Sequence, residues 1–335
     1  MKKRQITIKD IAKALHISPS TVSRSLADHP DISQETKNIV NAYAREHKYK
    51  PNALALSLRT NNTKTIGVIL PQIVHYFFSS VLSGIEDEAE KGGYRVIICQ
   101  SNENYEKEVK GAQALLEARV CGVLASVAKT TTIYNHFQEL IDSDIPMVFF
   151  DRICTGILTD RVVVDDYAGV CSAVEYLIRS GCRRIAFFGS PSHLAISNNR
   201  RMGYEDALRK NGLPVDKELI KICDNYTEAL RLTPELLSLP NRPDAFFAVN
   251  DEIGVLNVVK AKGLRIPDEV SICGFTNNSL AEVSDPLLTS VDQHGYELGA
   301  IAMRLLIERL NGVRDGDRIV SKIIKTNLVV RQSTR

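Results

Sequence analysis

The segment between positions 18 and 24 combines short hydroxyl side chains with one arginine. Its chemically important members are Ser18, Pro19, Ser20, Thr21, Ser23 and Arg24. Short hydroxyl groups near the N-terminus of a helix suit phosphates and base edges, and an arginine can donate to both O6 and N7 of a guanine. The segment therefore predicts a DNA-binding surface. A small helical bundle that binds protein is the alternative interpretation.

The local sequence places this segment on the second of several short helices. Thr7 and Asp10 match a capping box, and an apolar stripe at helical spacing follows them to about Leu15. Ser18 then provides a second N-cap, with Pro19 at the first helical position. Two short helices joined by a tight turn are typical of a helix-turn-helix unit.

A third helix is predicted behind the first two. Residues 28–30 stop the second helix, and Ser33 caps a helix over about residues 34–46. The predicted inner face of this helix consists of Ile39, Val40, Ala42 and Tyr43. The first 60 residues also contain 11 Lys and Arg against 5 Asp and Glu, whereas the rest of the chain contains 31 against 35. This basic N-terminal part favours a polyanionic partner.

From residue 65 onward, short apolar runs alternate with amphipathic segments. The runs at 65–70, 94–99, 121–125 and 146–150 are predicted strands with helices between them, and a second cycle begins near Val162. Such alternation predicts parallel sheets covered by helices on both faces. Because ligands of doubly wound sheets bind beyond the carboxyl ends of the strands, we expect a binding cleft between two lobes.

The chain lacks the sequence motifs of several other classes of protein. No Gly-x-Gly-x-x-Gly follows a predicted strand, and no P-loop, His-Glu-x-x-His or Gly-x-Ser-x-Gly motif is present, so we expect no enzyme. The seven cysteines include no Cys-x-x-Cys pair, so neither a metal site nor a cofactor is predicted. The basic residues 1–4 are not followed by the apolar segment of a signal peptide, and no run approaches the length of a membrane helix. We therefore expect a cytoplasmic chain with no membrane partner.

Three segments resemble the LacI/GalR family of bacterial repressors in their order and spacing. They are Ile8-Lys9-Asp10-Ile11-Ala12, the Ser-Pro-Ser-Thr-Val-Ser-Arg run at 18–24, and the Tyr-Lys-Pro-Asn-Ala-Leu-Ala-Leu-Ser-Leu run at 49–58. In that family the Thr-Val-Ser-Arg helix reads the major groove, and the Pro-Asn-x-x-Ala-x-x-Leu segment is a hinge helix that enters the minor groove. The resemblance therefore implies that Leu58 is an apolar wedge at the centre of the operator.

The resemblance extends the set of candidate DNA-binding residues beyond the second helix. The added residues are Thr7, Ser33, Thr36, Tyr49, Asn52, Ala55 and Leu58. His16 departs from the family, which usually has Gly in the turn between the first two helices. Because histidine tolerates the left-handed conformation better than most residues, we expect little damage to the turn.

The resemblance covers nearly the whole chain and implies its domain organisation. Residues 1–50 form the helix-turn-helix domain, 51–64 the hinge helix and linker, and 65–335 a bilobed periplasmic-binding-protein-like body. Within the body the N-lobe comprises about residues 65–161 and 293–325, and the C-lobe about 162–292. The fold class is thus α/β, with two doubly wound parallel sheets behind an all-α domain. A homodimer on pseudo-palindromic double-stranded operator DNA is also implied.

Polar and aromatic residues after the predicted strands are the candidate effector-binding residues implied by the resemblance. They are Phe77, Phe78, Asp151, Arg200, Asn250, Thr276 and Gln293. The alternatives are that the two phenylalanines belong to the core and that Asp151 caps a strand and pairs with Arg152. Asp251 is expected to cap the helix that follows it rather than to touch ligand.

The residue at position 276 bears on the chemistry of the effector. Thr276 stands where the family usually has an aspartate that often contacts ligand. With Arg152, Arg200 and Arg201 near the same motifs, the loss of this carboxylate makes a sugar acid or sugar phosphate about as plausible as a neutral sugar.

These observations together predict a sequence-specific DNA-binding transcription regulator and, by the resemblance, a repressor. A small carbohydrate-type effector bound between two lobes would control its affinity for the operator. A cytoplasmic sugar-binding or transport accessory protein is the alternative, and an α/β enzyme is a distant third.

Overall fold

A computed structural model describes residues 6–49, 63–313 and 318–335. The chain forms two compact units, residues 1–63 and residues 64–335. Each unit has apolar cores of its own and is described separately.

The first unit contains three helices. They are α1 (Ile8–Ala14), α2 (Pro19–Leu26) and α3 (Gln34–Glu46). A side-chain oxygen caps each helix start, because Thr7 accepts from the backbone N–H of Asp10, Ser18 from that of Thr21, and Ser33 from that of Thr36. The small core consists of Ile11, Ala12, Val22, Val40 and Ala44. The predicted helix-turn-helix arrangement is therefore confirmed.

The turn before α2 and the inner face of α3 differ in how well they follow the sequence-based expectation. His16 adopts φ +53° in the turn between α1 and α2, so the turn does form with histidine in place of glycine. The predicted inner face of α3 is partly wrong, since Ile39 is 51% exposed and Ala42 is exposed as well. Lys37 takes an inner position instead, because its ammonium reaches the Asp28 carboxylate at 2.8 Å.

The second unit is built on two six-stranded sheets. The first sheet has the order β11-β5-β4-β3-β1-β2, and the second β12-β10-β9-β8-β6-β7. The strands of the first are β1 (Thr65–Leu70), β2 (Arg95–Gln100), β3 (Gly122–Ala125), β4 (Met147–Phe150), β5 (Asp160–Val164) and β11 (Ser321–Ile324). Those of the second are β6 (Ile185–Gly189), β7 (Ile220–Ile222), β8 (Ala245–Ala248), β9 (Ser271–Gly274), β10 (Thr289–Asp292) and β12 (Asn327–Val329). All neighbouring strands are parallel except β10 and β12, which confirms two doubly wound sheets.

Helices cover both sheets. They are α4 (Tyr76–Lys91), α5 (Tyr105–Glu117), α6 (Asn135–Asp142), α7 (Asp166–Arg179), α8 (Ala195–Lys210), α9 (Tyr226–Leu237), α10 (Glu252–Ala261), α11 (Ser279–Val283) and α12 (Gly295–Leu310). Within the described ranges, no helix combines the length and apolar character that crossing a membrane would require.

Helices α4 and α12 approach each other so closely that their backbones touch. A Cβ atom added at Gly84 would lie 2.0 Å from the carbonyl oxygen of Tyr296, and one at Gly299 would lie 2.0 Å from that of Val81. Only glycine fits at these two positions. Helix α12 therefore belongs to the first lobe, as the resemblance implied.

The lobe boundary differs from the sequence-based expectation. Strand β5, at 160–164, pairs with β4 and β11 in the first sheet, so the first lobe continues past residue 161. The apolar run at Val162 looked like the start of a second cycle because a strand that ends one sheet has the same pattern as one that begins the next. The chain crosses between the lobes three times, after β5, after β10 and after β11.

Candidate functional site

The start of α2 carries a cluster of hydroxyl groups. The Ser18 Oγ lies 2.7 Å from the Ser20 Oγ and 2.9 Å from the Thr21 Oγ1, and it also accepts from the backbone N–H of Thr21. Ser18, Pro19, Ser20 and Arg24 are exposed, whereas Thr21 and Ser23 are half-buried. Ser18, Pro19, Ser20 and Thr21 thus lie at one helix start, where hydroxyls and free backbone N–H groups suit anions. Ser23 and Arg24 lie further along the same helix, with Arg24 in its last turn.

The remaining candidate DNA-binding residues of this unit lie at other helix ends. Thr7 and Ser33 are exposed N-caps of α1 and α3, and the Ser33 Oγ lies 2.9 Å from the Thr36 Oγ1. Tyr49 follows α3 and contacts the small core, and burial raises the pKa of its phenol. Asn52, Ala55 and Leu58, with the predicted hinge helix at 51–59, lie outside the described residues.

The second unit contains a cleft of about 580 Å³ where loops from the two sheets face each other. All seven candidate effector-binding residues line this cleft: Phe77, Phe78, Asp151, Arg200, Asn250, Thr276 and Gln293. Most of them follow the carboxyl end of a strand, which is where ligands of parallel sheets bind. The size and the mixture of polar and aromatic side chains suit a small organic ligand.

Arg200 is held rigidly in the wall of the cleft. Its Nε donates to the Asp166 Oδ1 at 2.6 Å, and its guanidinium lies 4.4 Å from the centroid of the Phe275 ring. A terminal N–H donates to the Gln293 Oε1 at 3.5 Å, while the Gln293 Nε2 donates to the carbonyl of Phe275 at 2.6 Å. These contacts fix the direction in which Arg200 and Gln293 present their remaining polar atoms.

Two buried carboxyl groups adjoin Arg200. Burial raises the pKa of Asp166 to about 6, although the Arg200 guanidinium acts against the shift. Burial likewise raises the pKa of Asp151, whose carboxylate accepts from the Ser126 hydroxyl at 3.5 Å. Asp151 adopts φ +57°, a conformation that directs the turn after β4 and its side chain into the cleft.

Arg152 is paired away from the cleft centre. Its guanidinium donates to both oxygens of Glu103 at 2.8 Å and lies 5.6 Å from the centroid of the Phe78 ring. The alternative pairing with Asp151 is a looser contact, at 3.8 Å. Arg201, which the sequence grouped with Arg152 and Arg200, does not line the cleft; its Nε donates to the Glu205 carboxylate at 2.8 Å on the outer face of α8.

One ion pair joins the two lobes beside the cleft. The Lys129 ammonium, after β3, lies 2.6 Å from the Asp224 Oδ2, after β7. The Asn250 Nδ2 donates to the other oxygen of Asp224 at 3.2 Å and to the Ser190 hydroxyl at 3.1 Å. The orientation of Asn250 is therefore set by the same carboxylate that holds the first lobe.

The predicted capping role of Asp251 is wrong. Asp251 occupies the N-cap position of α10 with φ +57°, but its side chain makes no capping hydrogen bond. Its carboxyl group lines the cleft instead, and burial raises its pKa. The φ value explains the difference, because side-chain capping normally requires an extended N-cap residue.

Phe77 and Phe78 combine the two roles that the sequence left open. Their rings contact edge to face with centroids 5.3 Å apart. Phe78 is 4% exposed and belongs to the core of the first lobe, whereas Phe77 is half-buried; both line the cleft.

Several residues of the site were not among the candidates predicted from the sequence. Glu103, Lys129, Asp166 and Asp224 each follow a strand, after β2, β3, β5 and β7, so the strand-end rule was available to find them. Glu252 was also missed; it is 2% exposed, its Oε1 has no hydrogen-bond partner in the described residues, and burial raises its pKa to about 7. Nothing in the local sequence indicated that Glu252 is buried, because a glutamate in the first turn of a helix is usually exposed.

The loop that carries Thr276 is tied to the C-terminal segment. A terminal N–H of Arg331 donates to the Asn277 Oδ1 at 2.7 Å, and the other terminal nitrogen donates to the carbonyl of Leu288 at 2.8 Å. The Asn277 Nδ2 donates to the Asp292 carboxylate at 3.1 Å. Arg331 and Asp292 therefore hold the Thr276 loop in place at the edge of the cleft.

Family models match both units of the chain. The model for bacterial regulatory proteins of the lacI family matches residues 7–52, and the model for a periplasmic-binding-protein-like domain matches residues 174–334. Catabolite control protein A of Priestia megaterium is 32% identical over 334 residues, which are 98% of this chain and 99% of the relative. The HTH-type transcriptional repressor CytR of Escherichia coli (strain K12) is 32% identical over 335 residues, 98% of this chain and 96% of the relative.

Solved structures of regulators share the fold. A complex of the transcriptional regulator CelR with cellobiose is 25% identical, covers 98% of this chain and 100% of its own, and has a TM-score of 0.74. The lac repressor dimer bound to operator and an anti-inducer is 21% identical, covers 99% of both chains and has a TM-score of 0.87, which supports the fold alone. The sequence relatives are transcription regulators and not enzymes, as the sequence predicted. The chain belongs to the LacI family of bacterial regulatory proteins.

Proposed function

We propose that this chain is a cytoplasmic repressor that binds operator DNA through its first unit, residues 1–63, and changes its operator affinity when an uncharged carbohydrate occupies the cleft of the second unit. The observation that carries the choice of effector is the charge pairing in the cleft. Each lysine or arginine that lines it already has a carboxylate partner.

The DNA-binding part of the proposal rests on the exposed face of α2. Ser20 and Arg24 stand on this face with no neighbouring carboxylate among their hydrogen-bond and ion-pair partners in the described residues. Hydroxyls and the helix N-terminus position phosphates, while the arginine reaches a base edge. We assign the wedge role of Leu58 and the contacts of Asn52 and Ala55 to the same DNA complex on the family pattern.

The charge of the cleft argues against an acidic effector. Lys129 pairs with Asp224 at 2.6 Å, Arg152 with Glu103 at 2.8 Å, and Arg200 with Asp166 at 2.6 Å. Asp151 and Asp251 add further carboxyl groups to the lining. A sugar phosphate or sugar acid would add negative charge to a cleft in which a carboxylate already balances each of these cations and in which Asp151 and Asp251 also lie.

The same groups suit the hydroxyls of a neutral sugar. A hydroxyl both donates and accepts, so it can bridge a carboxylate such as Asp151 and a donor such as the Arg200 guanidinium or the Asn250 amide. Burial lowers the pKa of His75 and so favours its uncharged form at the rim. The ring faces of Phe77 and Phe78 offer an apolar surface for the C–H groups of the sugar.

Similar proteins support a carbohydrate. The solved neighbours include a complex of CelR with cellobiose and a LacI-type regulator of Alkaliphilus metalliredigens with D-xylulofuranose, the latter 28% identical over 81% of this chain and 99% of its own with a TM-score of 0.71. Both ligands are uncharged polyhydroxyl compounds, like the one that the cleft favours.

We assign dimerisation to the outer strands of the two sheets. Strands β2 and β7 are the last strands of their sheets, at the same end of each strand order. Three apolar side chains on them are exposed: Ile97, Ile98 and Ile222. Uncovered edge strands with apolar side chains are a liability unless another chain covers them. A second copy would also give the two-fold symmetry that a pseudo-palindromic operator requires.

A thermal-shift screen of the full chain tests the effector. The compounds are neutral sugars, each matched with its phosphate and its uronic acid. A neutral sugar at 100 times its dissociation constant should stabilise the protein by about 2.7 kcal/mol, and its charged partners should not. A shift with the phosphate or the acid alone would contradict the charge argument.

Operator binding requires a separate measurement. Selection from random duplexes should return pseudo-palindromic sites, and the sugar identified in the screen should change the affinity for those sites. Loss of sequence preference in the selected pool would refute the repressor assignment, whatever the screen shows.

A further inference from the structure

A second cavity adjoins the effector cleft. Its volume is about 290 Å³, and it is formed by residues 127–134 after β3, 152–155 after β4 and 193–198 at the start of α8. We call this cavity the side compartment. Arg152 and Ile196 line both the cleft and the side compartment, so the two volumes meet at these side chains. Each of the two cavities is lined by residues from both lobes.

The side compartment offers hydrogen-bonding groups that the fold does not use. The side chains of Thr132, Thr155 and Asn198 are exposed in its lining and make no hydrogen bond with the described residues. Tyr134 adds a half-buried phenol, and burial raises its pKa, so its hydroxyl stays protonated. Hydroxyl and amide groups of this kind recognise other hydroxyl groups without a change of charge.

The charges around the side compartment are already neutralised. One terminal nitrogen of the Arg152 guanidinium donates to both oxygens of Glu103 at 2.8 Å, and the ring of His193 contacts the backbone carbonyl of Lys129. Thr131, the remaining buried hydroxyl of the lining, donates to Glu108 at 2.7 Å. No carboxylate lines the cavity within the described residues. An uncharged ligand therefore fits this space better than an anion or a cation.

Apolar side chains complete the lining. Ile153 comes from the first lobe, and Leu194 and Ile196 come from the second. They supply a surface for the C–H face of a ring, as Phe77 and Phe78 do in the cleft. The cleft and the side compartment therefore share the same kind of lining, an apolar surface beside uncharged hydrogen-bonding groups.

We propose that the side compartment is a second sugar subsite and that the effector is an oligosaccharide of at least two linked rings. The first ring lies in the cleft between Arg200 and Phe77, and the glycosidic linkage passes Arg152 and Ile196. This inference rests on the proposed function, because it specifies the size of the carbohydrate that the cleft takes.

Titration calorimetry on the full chain tests the size of the effector. The probes are monosaccharides with their own disaccharides: glucose with cellobiose and maltose, galactose with lactose, and xylose with xylobiose. At least one disaccharide should bind tenfold or more tightly than its monosaccharide. Equal affinities throughout would overturn the inference and leave the proposed function intact. If no sugar of either size binds, the proposed function fails and the inference falls with it.

A pair of tryptophan variants locates the second ring. Thr155→Trp places an indole in the side compartment, whereas Leu158→Trp places one three residues away, at a side chain that is 82% exposed and outside the cavity. Thr155→Trp should reduce the disaccharide affinity at least tenfold, to that of the monosaccharide, and Leu158→Trp should leave it unchanged. Equal disaccharide affinity in both variants would refute the location, and melting temperatures confirm that both variants fold.

Discussion

Arg24 illustrates how one exposed side chain could set operator choice. Replacing it with alanine should weaken operator binding by about 1–3 kcal/mol and relax specificity at one base pair. Competition binding on single-base variants of the selected operator measures both effects. Arg45→Ala, at an exposed cation in the last turn of α3, is the control for loss of charge alone. An equal loss on all sequences would show that Arg24 contacts phosphate and not a base.

Arg200 and its neighbour Arg201 form a matched pair of residues for the effector site. Arg200 lies in the cleft wall bound to Asp166, while Arg201 bonds to Glu205 at the surface. We expect Arg200→Ala to abolish the effector response and to preserve basal operator binding, whereas Arg201→Ala should preserve both. Operator binding with and without the sugar is the measurement. A normal response in Arg200→Ala would remove that guanidinium from the site.

The buried carboxyl of Glu252 should make stability depend on pH. Burial raises its pKa to about 7 from an unfolded value of 4.5, so the folded state favours the protonated form. The resulting stabilisation is present below pH 4.5 and is lost as the pH rises to 7. Between these limits the stability of wild type relative to Glu252→Gln should fall by roughly 3 kcal/mol, because a glutamine does not titrate. Urea unfolding at several pH values measures the difference; a constant difference would contradict the assignment.

Some residues of the cleft were predictable from the sequence around them, and others were not. The cleft position of Arg200, Asn250 and Thr276 was expected from motifs and from strand ends. Their partners Asp166 and Asp224 also follow strands, but their pairing with Arg200 and Asn250 was not predictable, because a contact between distant segments leaves no local pattern. Arg201 lies outside the cleft for a different reason. Adjacent residues of a helix point about 100° apart, so only one of the two neighbouring arginines could face the cleft.

The contact between α4 and α12 depends on two glycines. Gly84→Ala would bring a methyl group 2.0 Å from the carbonyl oxygen of Tyr296, so the two helices must separate. We expect a loss of about 1–3 kcal/mol in the free energy of unfolding, since backbone cannot yield as a flexible side chain does. Chemical denaturation is the measurement.

Ser83→Ala, on the exposed side of the same helix, is the control for the glycine substitution. It places an alanine in the same helix without entering the contact. A loss as small in Gly84→Ala as in Ser83→Ala would mean that α4 and α12 do not pack as closely as described.

Helices and buried central strands were predictable because they carry strong local signals. Caps at Thr7, Ser18 and Ser33 set the starts of α1 to α3 within a residue or two. The short strands β10, β11 and β12 were missed. Strands β11 and β12 are edge strands of four and three residues, and the four residues of β10 include a single apolar one, so none of the three shows a clear period. Their pairing depends on long-range geometry that a local pattern does not contain.

The proposed dimer surface leads to a test of assembly. The substitutions Ile97→Lys and Ile222→Lys would place a charge on each outer strand. Burying these charges against a second copy would remove their hydration, which is unfavourable. The double variant should sediment as a monomer and lose operator affinity, because two half-sites are no longer bound together. Leu158→Lys, away from these strands, should remain a dimer. A dimeric double variant would place the interface elsewhere.

The three crossings between the lobes also govern when the protein becomes responsive during its synthesis. Helix α12 and strand β11 complete the first lobe, yet the ribosome makes β6 to β10 of the second lobe before them. The cleft therefore exists only after residue 324 has emerged, whereas the core of the three-helix unit needs only residues 6–49. A product that terminates early would contain helices able to meet DNA but no receptor for the sugar, so translational accuracy near the end of the message protects control of the regulated genes.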